Sequence, residues 1–534
     1  MKRFQWIAAL VLIAALVLIA PCTSSAIDTV VVCPSELREA LGPWVKYRAA
    51  QGHRIELVPS NSSPTKIRHR IRQVVAAARQ IGAEVKTVVL VGDVPSAAAG
   101  ANVNGVPAHQ VKAKVITKYG GGRQFASDNS YADLDDDHVP DLALGRLPAD
   151  SPAELAAIIE KIVAYETNPN FGLWRRNINL VAGVGGFGVL IDSVIESTTK
   201  MFLTSGIPAG YRTTMTQASW TSPYCPAPPR FSATAIERIN EGCLFWVYIG
   251  HGNQRTLDSL RVPGGVFPIL TAGDVPQIKC ERSPPVALFF SCYAGAFAAR
   301  EDCLAEELLR RKSGPVAVIA GSNVTTPYAM AILGSGMLTE FFEKRRGTLG
   351  ETFLHAKRRL ADDSLSDSRR QMLDTLAALM TGSKHNLVDE RFEHLYLFNL
   401  IGDPLLRIRH PRAIKIKAPA KATPGSEITI DVEGGFPGMA AVELKLRRDR
   451  LAFKPKPRIR YAADEKSLAE YDETYRRAND LRLANADLLV DAAAFKTRLR
   501  VPVGTEGACR ICVFVRGKDD FAIGSAEIII QEAE

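Results

Sequence analysis

The sequence predicts an α/β protein that is followed by a small all-β domain. As far as about residue 410, short apolar segments alternate with amphipathic segments of helical period, which is typical of a parallel sheet flanked by helices. Beyond Pro411 the apolar residues recur with period two, which indicates a β-sandwich of immunoglobulin-like type. The alternation begins at 428–432 and continues at 510–515 and 522–530.

The first 26 residues have the composition of a secretory signal peptide. Lys2 and Arg3 precede an unbroken apolar run over 7–20, and the small residues Ser24-Ser25-Ala26 follow it. We therefore expect an exported protein of bacterial type, secreted or associated with the cell envelope. No later apolar stretch is long enough to cross a bilayer, so no transmembrane segment is expected. Removing Lys2 and Arg3 lowers the formal net charge from +9 to +7, which is too small a value for this length to predict a nucleic-acid partner.

A first α/β subdomain is predicted over residues 27–168. Its predicted strands are short and rich in Val and Leu, and its predicted helices are amphipathic. Ser151-Pro152 precedes the last helix, as a cap and a favourable first residue. The strands are predicted at 30–33, 54–58, 86–93 and 141–147, and the helices at 35–50, 67–81 and 153–165.

A second α/β subdomain is predicted over 169–410, and a C-terminal sandwich over 411–534. A linker rich in Pro, Ala, Lys and Thr at 418–425 precedes the sandwich strands, and the charged segment 464–498 predicts a helical insertion in the sandwich. The segment 397–408 predicts a strand, a turn and a short extended return. The other strands of the second subdomain are predicted at 177–184, 243–250, 285–291 and 315–320, and its helices at 190–203, 302–311, 329–344 and 349–360.

Two of these apolar strands end in a reactive side chain. The strand at 243–250 leads into His251, and the strand at 285–291 leads into Cys292. Because neighbouring parallel strands end at the same edge of a sheet, we expect a base beside a thiol, which is the minimum for a cysteine nucleophile. Gly252 follows the histidine, and Ala294-Gly295 lie close after the cysteine. Small residues there let a substrate backbone approach and leave amide N–H groups available. The alternative is that both residues are ordinary members of buried strands.

Further segments stand in a fixed order around these two strands. An acidic segment, Ser127-Asp-Asn-Ser-Tyr-Ala-Asp-Leu-Asp-Asp-Asp-His-Val-Pro-Asp141, leads into Gly145-Arg146, and Glu160-Lys-Ile-Val-Ala-Tyr-Glu166 follows. Phe398-Asn-Leu-Ile-Gly-Asp-Pro404 closes the region. Together with the His-Gly and cysteine segments, this ordered set resembles the gingipain-like cysteine peptidases, of the same clan as the caspases and legumain, over about residues 27–409. The resemblance implies a caspase-like sheet in two subdomains.

The resemblance also implies roles for the site residues. Cys292 would be the nucleophile, His251 the general base and acid, and the backbone amides of Gly252 and Cys292 the oxyanion donors. It implies a secreted cysteine endopeptidase that acts on proteins or peptides through a thioester, with no cofactor for catalysis. Ser291 stands where an alanine more often precedes the cysteine, and we expect this small residue to keep the geometry. The alternative function is a non-catalytic surface or secretion-associated binding protein that retains the peptidase fold.

The acidic segment predicts a cation site on its own chemistry. Asp133, Asp135, Asp137 and Asp141 have the spacing D-x-D-x-D-x-x-x-D, which can converge oxygen ligands on a hard cation. The loop is not an EF-hand, since His138 replaces the usual glycine and no glutamate closes the loop. Together with the resemblance to the gingipain-like peptidases, the spacing leads us to expect a structural calcium ion rather than a catalytic one. A solvated acidic turn is the alternative.

Three other motifs suggest different functions. Gly183-Val-Gly-Gly-Phe-Gly188 fits a dinucleotide-binding fingerprint, but no acidic residue follows at the expected distance, so we predict a strand-to-helix loop instead. Cys509 and Cys512 have redox-motif spacing, but on a strand their side chains would point to opposite faces. A basic run over 445–460 is predicted to be a solvated edge of the C-terminal domain.

Overall fold

The structure is a computed structural model, and it describes residues 27–95, 105–185, 206–364, 367–381 and 386–532. The predicted signal peptide and the predicted helix 190–203 lie outside these residues. Among the described helices, none combines the length and the apolar character that crossing a bilayer requires.

The strands of the α/β region match most of the predicted apolar segments to within a few residues. In chain order they are β1 Thr29–Cys33, β2 Ile55–Pro59, β3 Thr87–Val91, β4 His109–Lys112, β5 Gln124–Ser127, β6 Ala143–Leu147, β7 Asn177–Ala182, β8 Arg212–Gln217, β9 Phe245–Ile249, β10 Ser259–Val262, β11 Gly265–Pro268, β12 Val286–Phe290, β13 Ala317–Gly321 and β14 Phe398–Ile401.

Helices flank these strands, and one helix belongs to the C-terminal domain. Within the described residues they are α1 Arg38–Ala50, α2 Pro64–Gln80, α3 Pro152–Thr167, α4 Phe231–Asn240, α5 Leu304–Arg310, α6 Pro327–Leu338, α7 Leu349–Ala361, α8 Ser368–Thr381, α9 Leu387–Leu397 and α10 Glu465–Asn479.

One large sheet unites the two predicted subdomains. Its described strands lie in the order β2-β1-β3-β6-β14-β13-β12-β9-β7-β8. Strand β14 pairs parallel with β6 and antiparallel with β13, while the other neighbours are parallel, so the two halves of the sheet run in opposite directions. Strand β14, which comes last in the chain among the strands of this sheet, therefore lies at the centre of the sheet.

The sheet is covered on both faces, as an α/β fold requires. Along β1, Val30 and Val32 pack into a cluster with residues of α2, and Val31 and Cys33 pack into the main core with residues of α1 and α3. Successive residues of a strand point to opposite faces, so a strand covered on both faces is apolar throughout. This is why the sequence shows unbroken apolar segments here.

Two buried ionic networks explain polar residues of the acidic, Gly-Arg and Gly-Asp-Pro segments. Arg146 forms a two-point ion pair with Asp128, with N–O distances of 2.8 and 2.6 Å. Asp403 of the Gly-Asp-Pro segment accepts hydrogen bonds from the Trp44 indole and from Arg48, which also pairs with Glu166. These contacts tie together parts of the chain that are distant in sequence, and the buried charges are paired as burial demands.

The C-terminal domain is the predicted β-sandwich. Its described strands are β15 Arg412–Ala413, β16 Lys415–Lys417, β17 Lys421–Ala422, β18 Glu427–Glu433, β19 Gly438–Leu446, β20 Arg482–Val490, β21 Phe495–Arg500, β22 Gly507–Arg516 and β23 Phe521–Ile530. They form a six-stranded sheet, β15-β23-β22-β19-β20 with β17 beside β23, and a three-stranded sheet, β16-β18-β21.

The helix inserted in the sandwich covers an edge of the main sheet. Asn479, at the end of α10, accepts a hydrogen bond from the Met215 N–H at 2.7 Å and donates to the Met215 carbonyl at 3.0 Å. The hydroxyl of Tyr475 is 2.8 Å from that of Thr216 on the same strand. Open sheet edges attract other chains, and this helix closes the edge at β8.

The basic run at 445–460 is in large part the solvated edge that the sequence predicts, because Arg447, Arg450, Lys454, Lys456 and Arg460 are exposed. Lys445 is buried, and the Arg448 guanidinium donates to the carbonyls of Ile207, Pro208 and Tyr211 at 2.6–2.8 Å. Arg458 likewise donates to the Ser222 carbonyl. Lys445, Arg448 and Arg458 are the exceptions in the run, and the two arginines donate to backbone carbonyls of the α/β region.

Candidate active site

The two strands that lead to the reactive residues end side by side. Strands β9 and β12 are parallel neighbours in register, with Ile249 opposite Phe290, and the Gly250 N–H donates to the Phe290 carbonyl at 3.2 Å. His251 follows two residues after Ile249, and Cys292 two residues after Phe290. Both lie at the carboxyl edge of the second half of the sheet, where α/β folds place their ligands.

Two glycines allow the backbones to meet at this edge. A Cβ atom on Gly252 would lie 2.8 Å from the Cys292 carbonyl oxygen and 2.9 Å from the Ser291 hydroxyl. A Cβ atom on Gly250 would lie 2.8 Å from the Cα of Gly183. Glycine is therefore required in the His-Gly segment by close packing.

Gly183, the first residue of the glycine-rich segment, has a packing role. Its N–H donates to the Ile249 carbonyl at 2.8 Å, and its Cα rests against Gly250. This contact accounts for the glycine without a bound dinucleotide. Residues 186–188 of that segment lie outside the described part of the chain.

The backbone turns sharply at Cys292. Tyr293 has a φ of 56°, in the left-handed region that residues other than glycine seldom adopt. The Ala294 N–H donates to the Cys292 carbonyl at 2.7 Å, while the Tyr293 N–H donates to the Asn323 carbonyl at 3.0 Å. The turn is thus held by the loop that follows β13, and it presents the Cys292 side chain at the sheet edge.

Cys292 differs from the other described cysteines. The seven others are buried, whereas Cys292 is partly exposed, and all eight are free thiols. Burial raises the pKa of Cys33, Cys225 and Cys280 to about 12, which keeps those thiols protonated and unreactive. Among the described cysteines, Cys292 is therefore the one whose thiol a substrate or reagent can reach.

A backbone amide points at the Cys292 sulfur. The Thr325 N–H donates to Sγ at 3.3 Å, and Thr325 stands just before the start of α6 at Pro327. The next amide, of Thr326, donates to Nε2 of His394 at 2.9 Å, and Nδ1 of that buried histidine lies 2.7 Å from the Glu390 carbonyl. The Thr326 hydroxyl donates to the Glu390 carboxylate. These contacts fix the loop that supplies the amide.

Sequence reasoning missed Thr325 and His394. Thr326-Pro327 is a recognisable helix start just after the apolar strand at 317–321, so the helix N-terminus at this edge could have been placed. His394 could not have been found, because its contact with Thr326 joins residues 68 positions apart.

The loop that carries His251 is anchored on both sides. The buried Tyr248 hydroxyl donates to the His251 carbonyl at 2.6 Å. The Arg255 guanidinium pairs with Glu307 at 2.6 Å and donates to the Asp302 carbonyl at 3.0 Å. The histidine therefore stands on a loop fixed by β9 and by the start of α5.

The two amides predicted as oxyanion donors are available. Within the part of the chain that the structure describes, neither the Gly252 N–H nor the Cys292 N–H donates a hydrogen bond to another protein group. A buried N–H is normally paired, so amides left open at a site edge suit a ligand oxygen.

The acidic loop brings together three of the four predicted ligands. Carboxylate oxygens of Asp133, Asp135 and Asp141 lie within 4.8 Å of one another, and Asp137 is not in that group. Asp137 instead accepts the Val139 N–H at 2.8 Å. Burial raises the pKa of Asp141, and the nearby carboxylates of Asp135 and Asp137 raise it further, although the Leu134 N–H opposes them. Crowded carboxylates of this kind suit a hard cation.

The acidic segment is linked to the cysteine turn. The Ser322 hydroxyl donates to the Ala126 carbonyl at 2.8 Å, just before the acidic segment begins. Ser322 precedes Asn323, whose carbonyl accepts the Tyr293 N–H. Ser322 and Asn323 therefore connect the strand that precedes the acidic segment to the turn at Cys292.

A second group of acids, Asp93, Asp150 and Asp302, is held by a cation of the protein itself. The Arg310 guanidinium lies 3.1 Å from Asp93, 3.1 Å from Asp150 and 2.6 Å from Asp302. This arrangement is an ion-pair network at the start of α5.

The C-x-x-C pair is separated as the sequence predicts. Cys509 belongs to the sandwich core, whereas the Cys512 thiol contacts the Ala209 carbonyl of the α/β region at 3.3 Å. The two side chains lie on opposite faces of β22.

Comparisons with known proteins agree with this architecture. Residues 23–409 match the model of peptidase family C25. The chain is similar to the crystal structure of the Arg-specific cysteine proteinase gingipain R (RgpB), at 16% identity and a TM-score of 0.51, covering 95% of this chain and 98% of that one.

A second solved structure gives the same result. In the complex of the pro- and mature domains of RgpB from Porphyromonas gingivalis, the matched chain is 16% identical, with a TM-score of 0.52, covering 94% of this chain and 100% of that one. No curated protein matches the chain. At such identities the structures establish the fold alone. The family model spans most of the chain and both strands that lead to the candidate site, and the chain therefore belongs to peptidase family C25, the gingipain family.

Proposed function

We propose that this protein is an exported cysteine endopeptidase in which Cys292 is the nucleophile and His251 the general base and acid. The observation that carries the proposal is the register of β9 and β12, which brings the ends of both strands to one sheet edge. The partial exposure of Cys292 among buried thiols supports it. The composition of residues 1–26 supports export.

The chemistry is acyl transfer to and from sulfur. His251 takes the thiol proton, and the thiolate attacks the carbonyl carbon of the scissile peptide bond. The tetrahedral intermediate collapses to a thioester as His251 gives its proton to the leaving amine. Water, deprotonated by His251, then attacks the thioester carbonyl, the C–S bond breaks, the acid product leaves, and His251 returns its proton to the Cys292 sulfur. No redox cofactor takes part in these steps.

Three backbone amides support this chemistry. The Thr325 N–H donates to Sγ and favours its negatively charged form. The Gly252 and Cys292 amides are suited to the oxyanion, since preorganised donors stabilise charge that develops in the transition state.

The test compares Cys292→Ala with Cys303→Ala. Both remove a thiol, but Cys303 is buried at the start of α5. We expect the wild type and Cys303→Ala to cleave members of a mixed peptide library in the presence of calcium and a reductant, and Cys292→Ala to cleave none. Iodoacetamide should inactivate the two active proteins. Cleavage by Cys292→Ala at the wild-type rate would refute the mechanism. A folded wild type that cleaves nothing would favour the non-catalytic binding protein.

We further propose that Asp133, Asp135 and Asp141 hold a structural calcium ion. The donor set fits, because three carboxylates converge and Asp133 is buried, while oxygen ligands are those that Ca²⁺ prefers. The ion would neutralise their mutual repulsion and hold the acidic segment. That segment is connected through Ser322 to the turn at Cys292.

A further inference from the structure

A basic cleft lies between the α/β region and the sandwich. It is open to solvent, and its walls come from the start of β8 and from β19, β20 and β22. A single carboxylate, that of Asp480, lines it. The cations that line it are Arg212, Lys445, Arg447, Arg448, Arg482 and Arg510.

Most of these cations have a carboxylate partner. Asp480 pairs with Arg482 at 3.0 Å, and Asp449 pairs with Arg447 at 2.6 Å. Arg510 reaches Glu527 at 2.6 Å. Three of the six cations are therefore each neutralised by one acid.

Glu443 is shared by two cations. It lies 2.6 Å from Lys445 and 2.9 Å from the Arg176 guanidinium, which binds it through two hydrogen bonds. Despite the burial of Glu443, these two cations lower its pKa to about 2. Its single charge is therefore fully engaged, and it leaves the cleft with an excess of positive charge.

Arg212 is left without an acidic partner. Among the described residues, no group accepts a hydrogen bond from the Arg212 guanidinium. No carboxylate of these residues lies within 4.0 Å of it. Burial lowers the pKa of Arg212, and the neighbouring charges of Arg482 and Arg176 lower it further, although the more distant carboxylates of Asp480 and Glu443 partly oppose them. A partly buried charge among like charges is unfavourable unless an anion compensates it.

Arg448 adds to the positive field from the other wall. Burial lowers the pKa of Arg448 to about 10, and Arg510 contributes to the decrease. Its guanidinium is held against three backbone carbonyls, so the charge has a fixed position beside the cleft.

We propose that this cleft binds a small oxyanion, a phosphate or sulfate group, with Arg212 and Arg482 as its principal ligands. Guanidinium groups match tetrahedral oxyanions through paired N–H donors. Arg212 belongs to the α/β region and Arg482 to the sandwich, so the anion would bridge the two. Its binding site is separate from the edge that carries Cys292, and it does not depend on the peptidase mechanism.

The test measures the thermal stability of the purified protein at constant ionic strength while sulfate or phosphate replaces chloride. We expect a saturable rise in the unfolding temperature of about 2 °C or more, since a ligand that binds only the folded state stabilises it. Arg212→Gln should lose the rise, and Arg212→Lys should retain part of it. Arg498→Gln is the matched control, because Arg498 is an exposed sandwich arginine paired with Glu427. It should respond like the wild type.

Glucose 6-phosphate distinguishes the source of the phosphate group. Its affinity is measured by isothermal titration and compared with that of inorganic phosphate. Binding of glucose 6-phosphate at least tenfold tighter would support a phosphorylated saccharide as the ligand, and equal affinities would support the free ion. A wild type that shows no saturable response to either anion, or an Arg212→Gln variant with the full response, would overturn the proposal.

Discussion

The backbone N–H of Thr325 points at the sulfur of Cys292, 3.3 Å away. Its position depends on the next peptide unit, because the Thr326 N–H is bound by the buried imidazole of His394. That histidine accepts through Nε2, so its other nitrogen carries the proton and donates to the Glu390 carbonyl. Burial lowers the pKa of His394, which agrees with a neutral ring.

Replacing His394 with phenylalanine should therefore weaken the proposed nucleophile. Without its acceptor the Thr326 amide has to find another partner, and the Thr325 amide shifts with it. We expect alkylation of Cys292 by iodoacetamide to slow about tenfold, the factor that ~1.4 kcal/mol of lost hydrogen bonding represents. In peptide hydrolysis kcat should fall while KM stays near its wild-type value.

The control is His410→Phe. His410 is partly buried beside Phe341 and is bonded to the Arg346 carbonyl, away from the Thr325 loop. It should lower stability without a selective loss of thiol reactivity. Equal alkylation rates in the two variants would contradict a positioning role for His394.

Removing calcium should destabilise the protein through the acidic loop. Without the ion, the converging carboxylates of Asp133, Asp135 and Asp141 repel each other. We expect a chelator to lower the unfolding temperature and added calcium to restore it. Asp133→Asn and Asp141→Asn should abolish this calcium response, whereas Asp137→Asn, outside the group, should keep it. If neither the chelator nor added calcium changes the unfolding temperature of the wild type, the proposed calcium ion is contradicted.

Asn479→Ala should loosen the attachment of the sandwich to the main sheet. The change leaves the N–H and carbonyl of Met215 without their partner at an otherwise covered edge. We expect the free energy of unfolding in urea to fall by about 1–3 kcal/mol. Asn485→Ala is a suitable control, since Asn485 is exposed on β20. A loss no larger than that of this control would show that the contact contributes little.

The stability of the protein should be greatest near pH 9. Burial lowers the pKa of Lys161 and Lys357 from 10.5 to about 7, so above pH 7 the unfolded chain binds more protons and stability rises with pH. Burial raises the pKa of Cys33, Cys225 and Cys280 from 9.0 to about 12. Above pH 9 the folded chain holds more protons on these thiols, and stability falls. Urea unfolding at pH 7–11 in a reductant measures both slopes.

A lysine variant isolates the rising slope. Lys161→Met removes one of the two buried amines, so the gain in stability between pH 7 and pH 9 should shrink. Lys312→Met, which removes an exposed lysine paired with Glu160, should leave the gain unchanged. If both variants keep the full gain, the neutral buried amine at position 161 is not its source.

The sequence predicted the strands of this fold well because both faces of the sheet are buried. Segments such as 87–91 and 286–290 are apolar at every position, and that signal needs no tertiary information. Strands β9 and β12 are segments of this kind, so the sequence also located the residues that follow them, His251 and Cys292. The peptidase family followed from the order of motifs, and the family comparison confirms it.

What the sequence did not predict depends on tertiary contacts. The hairpins β4–β5 and β10–β11 and the helices α8 and α9 lack a strong periodic signal. The contacts of Arg448, within the otherwise exposed basic run, could not be predicted because its acceptors, including the Ile207 carbonyl, lie more than 200 residues away. The grouping of Asp133 with Asp141 but not Asp137 is set by backbone turns with positive φ at Asp136 and His138.

The central position of β14 dictates when the fold can be completed. This strand pairs Ile401 with Arg146 on one side and lines up against β13 on the other, although nearly 400 residues precede it in the chain. A nascent chain that stops before residue 398 carries two half-sheets, each with an open edge at β6 or β13. Such edges recruit other strands. Synthesis therefore passes through a long interval in which both half-sheets are prone to aggregation, and the segment Phe398–Ile401 ends that interval by closing both edges at once.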